Sequence, residues 1–378
     1  MNASNETAAA ADNLCDSVDT DFLYERFWIC VVVGVTVSVI SIVENVFIFA
    51  LFASNRQHRN SYNLYLTILA IFDVFMGISY IAIMAVNVLI NYTSSIWLAR
   101  LKASYLVPML AISHIAMTAS TFLIVFAAIE RYAVTVAHST VGALQRNRRF
   151  FVMTAILIAV FTKGTSLFEL VIRHDENCRG RVREFLVEAS WLTRIEWFNE
   201  YFRIIFRNVT TIFVPFFILL LLNVSLVMRL MLPSREKTNV LIDHQHLKQK
   251  RARIRAATRT LVILVFTYLL SNVLSVIINF WEYIDKNSLW TEYLSFYVIA
   301  VDSVSVLTII ACALRLPIYL SCQPLLRKEA AAFVASFVRG CSERSDKGKV
   351  LILRNGLTTE KDTLSATLLS AIPEQVAL

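Results

Sequence analysis

Residues 122–136 read FLIVFAAIERYAVTV, an apolar segment interrupted by two adjacent charges, Glu130 and Arg131. A charged side chain at the centre of a bilayer costs about 2.5–3.5 kcal/mol on insertion scales, so this pair needs a physical reason. One interpretation is that Arg131 extends its charged group to water from the end of a helix. The other is that Glu130 and Arg131 neutralise each other at the membrane boundary.

The composition of the whole chain indicates a membrane protein. Of its 378 residues, 57% are hydrophobic and 17% are charged, whereas soluble domains contain about 25% charged residues. A helix needs about 20 apolar residues to cross the hydrocarbon core, and seven segments are long enough. They lie at 27–52, 62–90, 103–129, 150–172, 204–232, 260–284 and 292–320. We therefore predict an all-α membrane protein, a seven-transmembrane helix bundle, since the alternating pattern of membrane strands is absent from the sequence.

The charges that flank the first predicted helix indicate its orientation. Acidic residues precede this helix, whereas Arg56 and Arg59 follow it. Because basic residues stay on the cytosolic side, we expect an extracellular N-terminus and a cytosolic C-terminus in the plasma membrane. Three glycosylation sequons, at Asn2, Asn5 and Asn91, then lie on the outer side. The net charge of +8 reflects basic loops beside anionic lipid and does not indicate nucleic-acid binding.

This topology divides the chain into four parts. We expect an extracellular N-terminal tail at 1–26, the bundle at 27–320, an amphipathic helix on the membrane surface at 321–340, and a disordered cytosolic tail at 341–378. Cys341, directly after the amphipathic helix, is a candidate palmitoylation site.

The predicted topology places Glu130, Arg131 and Tyr132 at the cytosolic end of the third helix, and this arrangement resembles the rhodopsin-like G-protein-coupled receptors. The resemblance covers residues from about 25 to 340. It implies that Glu130 restrains Arg131 until activation, when Arg131 turns toward a heterotrimeric G protein. It also implies an extracellular ligand and, through phosphorylation of the polar tail, arrestin as a further partner. The other positions that match the family are Asn45, Leu69, Ala70, Asp73, Pro215 and Tyr319.

The sequence departs from the family at the usual disulfide. Family members carry a cysteine 25 residues before the arginine of the third helix, and here that position is Leu106. Cys178 nevertheless lies in the second outer loop, where the family has its partner cysteine, and Cys15 lies in the N-terminal tail. We therefore expect a Cys15–Cys178 disulfide, with free thiols as the alternative.

A second departure concerns the family's sodium site. Asp73 and Ser120 map to that site, but Arg315 occupies the position where the seventh helix usually carries asparagine. We expect Arg315 to pair with Asp73 or Glu44 and to take the place of sodium. The alternative is that its guanidinium reaches the cytosol, because Arg315 lies near the end of the predicted seventh helix.

The candidate ligand site is aromatic and acidic. Ser113 stands where amine receptors carry aspartate, and no lysine in the seventh helix is available to bind retinal. Aromatic and acidic side chains suit a short cationic, aromatic peptide, although an interfacial aromatic belt has a similar composition. The candidate ligand-binding residues are His114, Met117, Trp281, Glu282, Tyr293, Tyr297 and Asp302.

The stretches FTYLLSNVLSVIINFWEYI (266–284) and FYVIAVDSVSVL (296–307) are similar to helices six and seven of invertebrate neuropeptide receptors of the FMRFamide type. This resemblance implies a ligand that ends in Arg-Phe-amide. Its arginine would bind Glu282 or Asp302, and its phenylalanine would pack among the aromatic side chains.

Two alternatives remain open at the level of sequence. A seven-helix transporter or channel would explain the ionisable residues inside the predicted membrane segments, and a receptor for a non-peptide chemical ligand has the same topology. These ionisable residues are Glu44, Asp73, Lys163, Asp302 and Arg315. We do not expect an enzyme, a cofactor or a metal site, because the sequence contains no metal-spaced His/Cys cluster, nucleophile elbow or phosphate loop.

Overall fold

A computed structural model describes residues 15, 22–54, 63–136, 139, 141–231, 244–285, 288, 291–336 and 339. Within this part of the chain, seven helices are long and apolar enough to cross a membrane. They are α1 (Leu23–Ser54), α2 (Asn63–Thr93), α3 (Ile96–Val136), α4 (Arg148–Glu169), α5 (Phe198–Met231), α6 (His244–Ile284) and α7 (Leu294–Cys322). The predicted fold class, an all-α seven-helix bundle, is confirmed.

Several helices extend beyond the predicted apolar segments, among them α1, α3 and α6. Helix α3 ends at Val136, so Glu130 and Arg131 lie within the helix and not just after it. Helix α6 begins at His244, since its first turns contain lysine, arginine and alanine, which favour helix without favouring membrane. Helix α1 begins at Leu23 and includes Arg26. Hydropathy locates the hydrocarbon core, whereas backbone hydrogen bonding continues into the surrounding water.

A β-hairpin, which the sequence did not predict, lies between α4 and α5. Its strands β1 (Leu170–His174) and β2 (Phe185–Ala189) are antiparallel, with Leu170 paired to Ala189. Short helices occupy the connections of this part of the chain and the turn before α4. They are Val141–Arg146, Glu176–Cys178, Val182–Glu184 and Trp191–Arg194. We call the end of the bundle that carries this hairpin the hairpin end.

A disulfide ties the N-terminal tail to the hairpin end. Cys15 is bonded to Cys178 in the connection between β1 and β2, with Cα atoms 5.4 Å apart. Close by, the buried carboxylate of Glu184 accepts a hydrogen bond from Arg100 Nη2 at 2.9 Å. This bond, together with those from His174 and the Gly180 amide, lowers the pKa of Glu184 from its ordinary value. The hairpin is therefore fixed to the start of α3 and, through Cys15, to the tail.

Several helices contain π-helical turns, which are rare and often mark functional sites. Two of these turns form the first half of α5, directly before Pro215. The proline has no N–H to donate to the backbone, and the side chain of Thr211 bonds the Arg207 carbonyl at 2.8 Å. The π-helical segments are Phe27–Val33, Ile81–Ala85, Phe198–Phe206 and Val209–Phe213.

The chain forms two compact units, with the bundle in the first, which ends at Gln323. In the second unit, residues 324–336 form helix α8. This short helix follows the seventh span, as expected, and begins three residues later than predicted, because α7 continues to Cys322.

Candidate functional site

A buried ion pair occupies the centre of the bundle. Asp73 of α2 is fully buried, and Arg315 Nη1 of α7 donates a hydrogen bond to its Oδ2 atom. Ser120 Oγ of α3 lies 3.4 Å from Asp73 Oδ1, and Cys312 Sγ lies 3.6 Å from the same atom. The structure thus brings together the residues that correspond to the sodium site of the resembled family, with a guanidinium as the cation.

The backbone of α7 positions Arg315. The proline at 317 cannot donate to the carbonyl of Ala313, and the regular helix is interrupted at Leu314 before it resumes at Arg315. Arg315 is buried, with 6% of its surface exposed, so its charge does not reach water in this structure. Glu44, the other expected partner, has an Oε2 atom without a hydrogen bond among the described residues.

The end of α3 opposite the hairpin holds a second buried carboxylate. Glu130 and Arg131 are 2% and 7% exposed. Arg148, the first residue of α4, binds Glu130 with two nitrogens: Nε to Oε2 at 2.9 Å and Nη2 to Oε1 at 2.5 Å. Such paired contacts between arginine and carboxylate are strong and directional. The structure therefore assigns to Arg148 a role at Glu130 that the sequence did not reveal.

A cavity of about 1220 Å³ lies between α5 and α6 and extends to His114 of α3 and Tyr297 of α7. On α6 its lining runs from Val276 to Ile284, a distance of roughly 12 Å along the helix at 1.5 Å per residue. Most of its walls are apolar or aromatic. Pockets for drug-sized ligands are typically about 300–1,000 Å³, so this cavity has room for a larger molecule.

Four of the seven candidate ligand-binding residues line this cavity. They are His114, Trp281, Glu282 and Tyr297. Tyr293 is 46% exposed, and its ring packs against Trp281 with centroids 5.4 Å apart. Met117 is 39% exposed and is not among the described residues that line the cavity.

The seventh candidate, Asp302, is engaged elsewhere. Its Oδ2 atom accepts a hydrogen bond from Arg26 Nε at 2.7 Å, and the two side chains are only 6% and 8% exposed. Arg26 belongs to the first turn of α1, so this pair joins α1 to α7 at the hairpin end. From the sequence, Arg26 is only a charge that flanks an apolar segment, and nothing there indicates this partner.

The remaining candidate residues lie as follows. Asn45 Nδ2 bonds the Ser41 carbonyl at 2.9 Å and the Cys312 carbonyl at 3.4 Å, which links α1 to α7. Tyr319 and Pro215 are buried, while Tyr132 and Asn91 are half-buried. The other three calls fall on residues outside the described part of the chain: Asn2, Asn5 and Cys341.

Comparison with protein families matches residues 44–314 to the 7 transmembrane receptor (rhodopsin family). The chain belongs to this family. A comparison with curated proteins finds no match. Members of the rhodopsin family are signalling receptors that couple an extracellular ligand to a G protein, and they are not enzymes. This chain is therefore a multi-pass membrane receptor, and the match does not favour the transporter or channel.

In this rhodopsin-family receptor, Arg148 binds the carboxylate of Glu130, which the resemblance to the family assigns as the restraint on Arg131. If Glu130 restrains Arg131 as the family resemblance implies, we expect Glu130→Gln to raise ligand-independent nucleotide exchange on a G protein about two- to tenfold, at about 1.4 kcal/mol for each factor of ten. We expect Arg148→Gln to lower that exchange, because Glu130 is then left to Arg131 alone. Nucleotide exchange in membranes with equal receptor content measures both effects. Arg149→Gln, an exposed neighbour, is the control, and a change in the same direction for both variants contradicts this interpretation.

Proposed function

We propose that this receptor detects a short amidated peptide at the hairpin end. It transmits the signal to a heterotrimeric G protein at the opposite end of the bundle, where Arg131 lies. The hairpin end then faces the cell exterior and the receptor lies in the plasma membrane. The observation that carries the peptide proposal is the cavity between α5 and α6, which is large and lined by aromatic side chains and carboxylates. Its volume suits a peptide better than a small amine, and Ser113 offers no carboxylate for an amine.

The charges at the cavity narrow the expected pose. Asp302 already neutralises Arg26, whereas Glu282 lines the cavity. We therefore place a basic side chain of the peptide on Glu282 and an aromatic side chain of the peptide against Trp281 and Tyr297. An Arg-Phe-amide terminus has this chemistry, and the similarity of α6 and α7 to FMRFamide-type receptors supports it from sequence alone.

Helix α6 provides a physical connection between the cavity and Arg131. The part of α6 nearer the hairpin end carries Trp281, which lines the cavity. The part nearer Arg131 carries Leu261 and Leu264, which line a small pocket together with Arg131. Between them, Asn272 Nδ2 donates to the Tyr268 carbonyl at 2.8 Å. Such side-chain bonds compete with helix hydrogen bonds and often bend helices. A ligand that displaces the part of α6 at the cavity would thus also move the part of the same helix that lies beside Arg131.

The same orientation gives roles to several residues of the predicted tails and loops. Asn2, Asn5 and Asn91 are proposed glycosylation sites on the outer side, and Cys341 is a proposed palmitoylation site on the inner side. Arrestin is proposed as a partner of the phosphorylated tail.

The first test is nucleotide exchange on a panel of G proteins, in membranes that carry the native chain or the Arg131→Ala variant. We expect pooled amidated peptides that contain arginine and phenylalanine to stimulate the native receptor and to leave the variant silent. Absence of stimulation on every G protein, at normal receptor levels, would contradict a peptide ligand.

A second variant tests the pose. Glu282→Gln is expected to lower the potency of an active arginine-containing peptide about 10–100-fold, because a charge-assisted hydrogen bond contributes about 1.5–3 kcal/mol. Glu292→Gln removes the same charge from an exposed position and should leave the potency unchanged. Equal potency of the peptide on the native and Glu282→Gln receptors would show that Glu282 does not bind the peptide arginine.

A further inference from the structure

A cluster of basic side chains borders the cavity where α4 meets α5. We call it the basic cluster; it consists of Lys163, Arg203 and Arg207, which surround the buried carboxylate of Glu169. Arg207 Nη1 bonds Glu169 Oε1 at 2.5 Å, and Arg203 Nε lies 3.5 Å from Glu169 Oε2. Lys163 interacts electrostatically with both Arg207 and Glu169. Thr165 Oγ1 donates to the same carboxylate at 2.9 Å.

The charges of this cluster do not balance. The two guanidiniums of Arg203 and Arg207 face the single carboxylate of Glu169, so one permanent positive charge lacks an acidic partner among the described residues that interact with the cluster. The Arg207 side chain is only 12% exposed and that of Glu169 only 6%, whereas that of Arg203 is 38% exposed. Unbalanced charge inside a membrane bundle is costly and typically marks a ligand or ion site. The charges of the cluster therefore favour an anion over a cation in the adjoining part of the cavity.

Arg207 has hydrogen-bonding capacity to spare. A guanidinium carries five N–H donors, and among the described residues that of Arg207 makes a single hydrogen bond, to Glu169. Its Nε atom is buried without an acceptor. Arg207 lines the cavity together with Arg203 and His114, so the side chain that carries this unpaired donor belongs to the cavity wall.

We propose that the ligand of this receptor carries a carboxylate that binds Arg207, with Arg203 as the second cation. The planar fork of an arginine suits the two oxygens of a carboxylate. The cavity then recognises two opposite charges: a basic group on Glu282 of α6 and an acidic group on Arg207 of α5. This inference rests on the proposed peptide function and narrows the ligand to a peptide that is both basic and acidic.

In a peptide the carboxylate comes from an acidic side chain, as the proposed amidated ligand requires, or from a free C-terminus, which would support the anion site but exclude amidation. Three synthetic libraries of arginine-containing peptides separate them. One is amidated with a single Asp or Glu at varied positions, the second is amidated with Asn or Gln at the same positions, and the third has a free C-terminal carboxylate and no acidic side chain. We expect one of the two acidic libraries to stimulate nucleotide exchange at least tenfold more potently than the neutral library. Equal potency of all three would overturn the proposal.

Variants of the basic cluster then assign the effect to Arg207. Arg207→Gln is expected to abolish the preference for acidic peptides, and Arg207→Lys to retain only part of it, since lysine keeps the charge without the fork. Arg207→Gln leaves the Glu169 carboxylate without this ion pair. The double variant Arg207→Gln/Glu169→Gln therefore repeats the test without an unpaired carboxylate. Arg194→Gln removes an exposed arginine outside the cavity and should keep the full preference. A preference that survives in the double variant would overturn the assignment to Arg207.

A small probe tests the anion site independently of any peptide. We expect 3-phenylpropionate at millimolar concentration to raise the thermal unfolding midpoint of the purified receptor, while 3-phenylpropionamide has no effect. Arg207→Gln/Glu169→Gln should remove the difference. If acids stabilise the receptor but no peptide activates it, the anion site stands and the peptide function fails. If the acid and the amide act alike, the anion site is wrong.

Discussion

Replacing Arg315 by leucine is expected to lower the free energy of unfolding by about 3–5 kcal/mol, because it leaves the Asp73 carboxylate buried without its cation. Asp73 is fully buried, and its other neighbours, Ser120 and Cys312, lie at hydrogen-bonding distances of 3.4 and 3.6 Å. Neither neighbour carries a charge that could replace the guanidinium. Thermal unfolding of the purified receptor in detergent measures the loss.

The double variant Arg315→Leu/Asp73→Asn is the decisive comparison for this pair. Replacement of both charges is often nearly neutral, whereas loss of one partner is costly, so the double variant should recover most of the lost stability. Ser120→Ala is the control, with an expected cost of about 1 kcal/mol or less. We also expect ligand binding of the native receptor to be insensitive to exchange of potassium for sodium. Equal instability of the single and double variants would show that Arg315 stabilises α7 by a route other than Asp73.

The fold was predictable because the membrane imposes a single strong constraint. Every spanning segment must satisfy its backbone hydrogen bonds internally, so long apolar segments identify the helices without knowledge of their packing. For a related reason, the sequence narrows the partner of Arg315 to Asp73 or Glu44, and the structure places it on Asp73. Family spacing places Asp73 and Arg315 at one depth of the bundle, and a buried carboxylate beside a buried arginine has few other ways to be neutralised.

The sequence did not predict which charged side chains form ion pairs at the ends of the helices. Arg148 and Glu130 are 18 positions apart and meet because the turn before α4 returns the chain to α3. Hydropathy does not describe that turn. The same limit applies to the β-hairpin and to Glu184, whose position depends on the segments that follow α4.

The basic cluster shows a further limit. Lys163 was identified as an intramembrane charge, but Arg207 was not, although both lie in predicted spans. The first half of α5 contains two π-helical segments, Phe198–Phe206 and Val209–Phe213, with Arg207 between them, and their turns contain more residues than the 3.6 of an α-helix. A side chain in this segment therefore faces a different direction from the one that regular periodicity indicates. The direction of Arg203 and Arg207 toward Glu169 became visible only in the structure.

Arg26→Gln is expected to destabilise the receptor by about 3–5 kcal/mol, for the reason that applies to Arg315: it leaves the buried Asp302 carboxylate unpaired. The pair joins the first turn of α1 to α7, and both side chains are more than nine-tenths buried. Arg26→Gln/Asp302→Asn should restore most of the stability, as measured by thermal unfolding. Glu25→Gln, which changes the adjacent exposed residue, is the control and should have little effect.

The double variant also decides between the two roles of Asp302. If Asp302 neutralises Arg26 alone, Arg26→Gln/Asp302→Asn retains native peptide potency, since neither side chain then meets the ligand. If Asp302 instead binds a peptide arginine, as the sequence suggested, the double variant loses potency while it keeps native stability. The distance of 2.7 Å between Arg26 Nε and Asp302 Oδ2 favours the first outcome, because a ligand that reached Asp302 would have to displace a buried guanidinium. Glu282, which has no such competitor within the described cavity lining, is the carboxylate on which peptide recognition should depend.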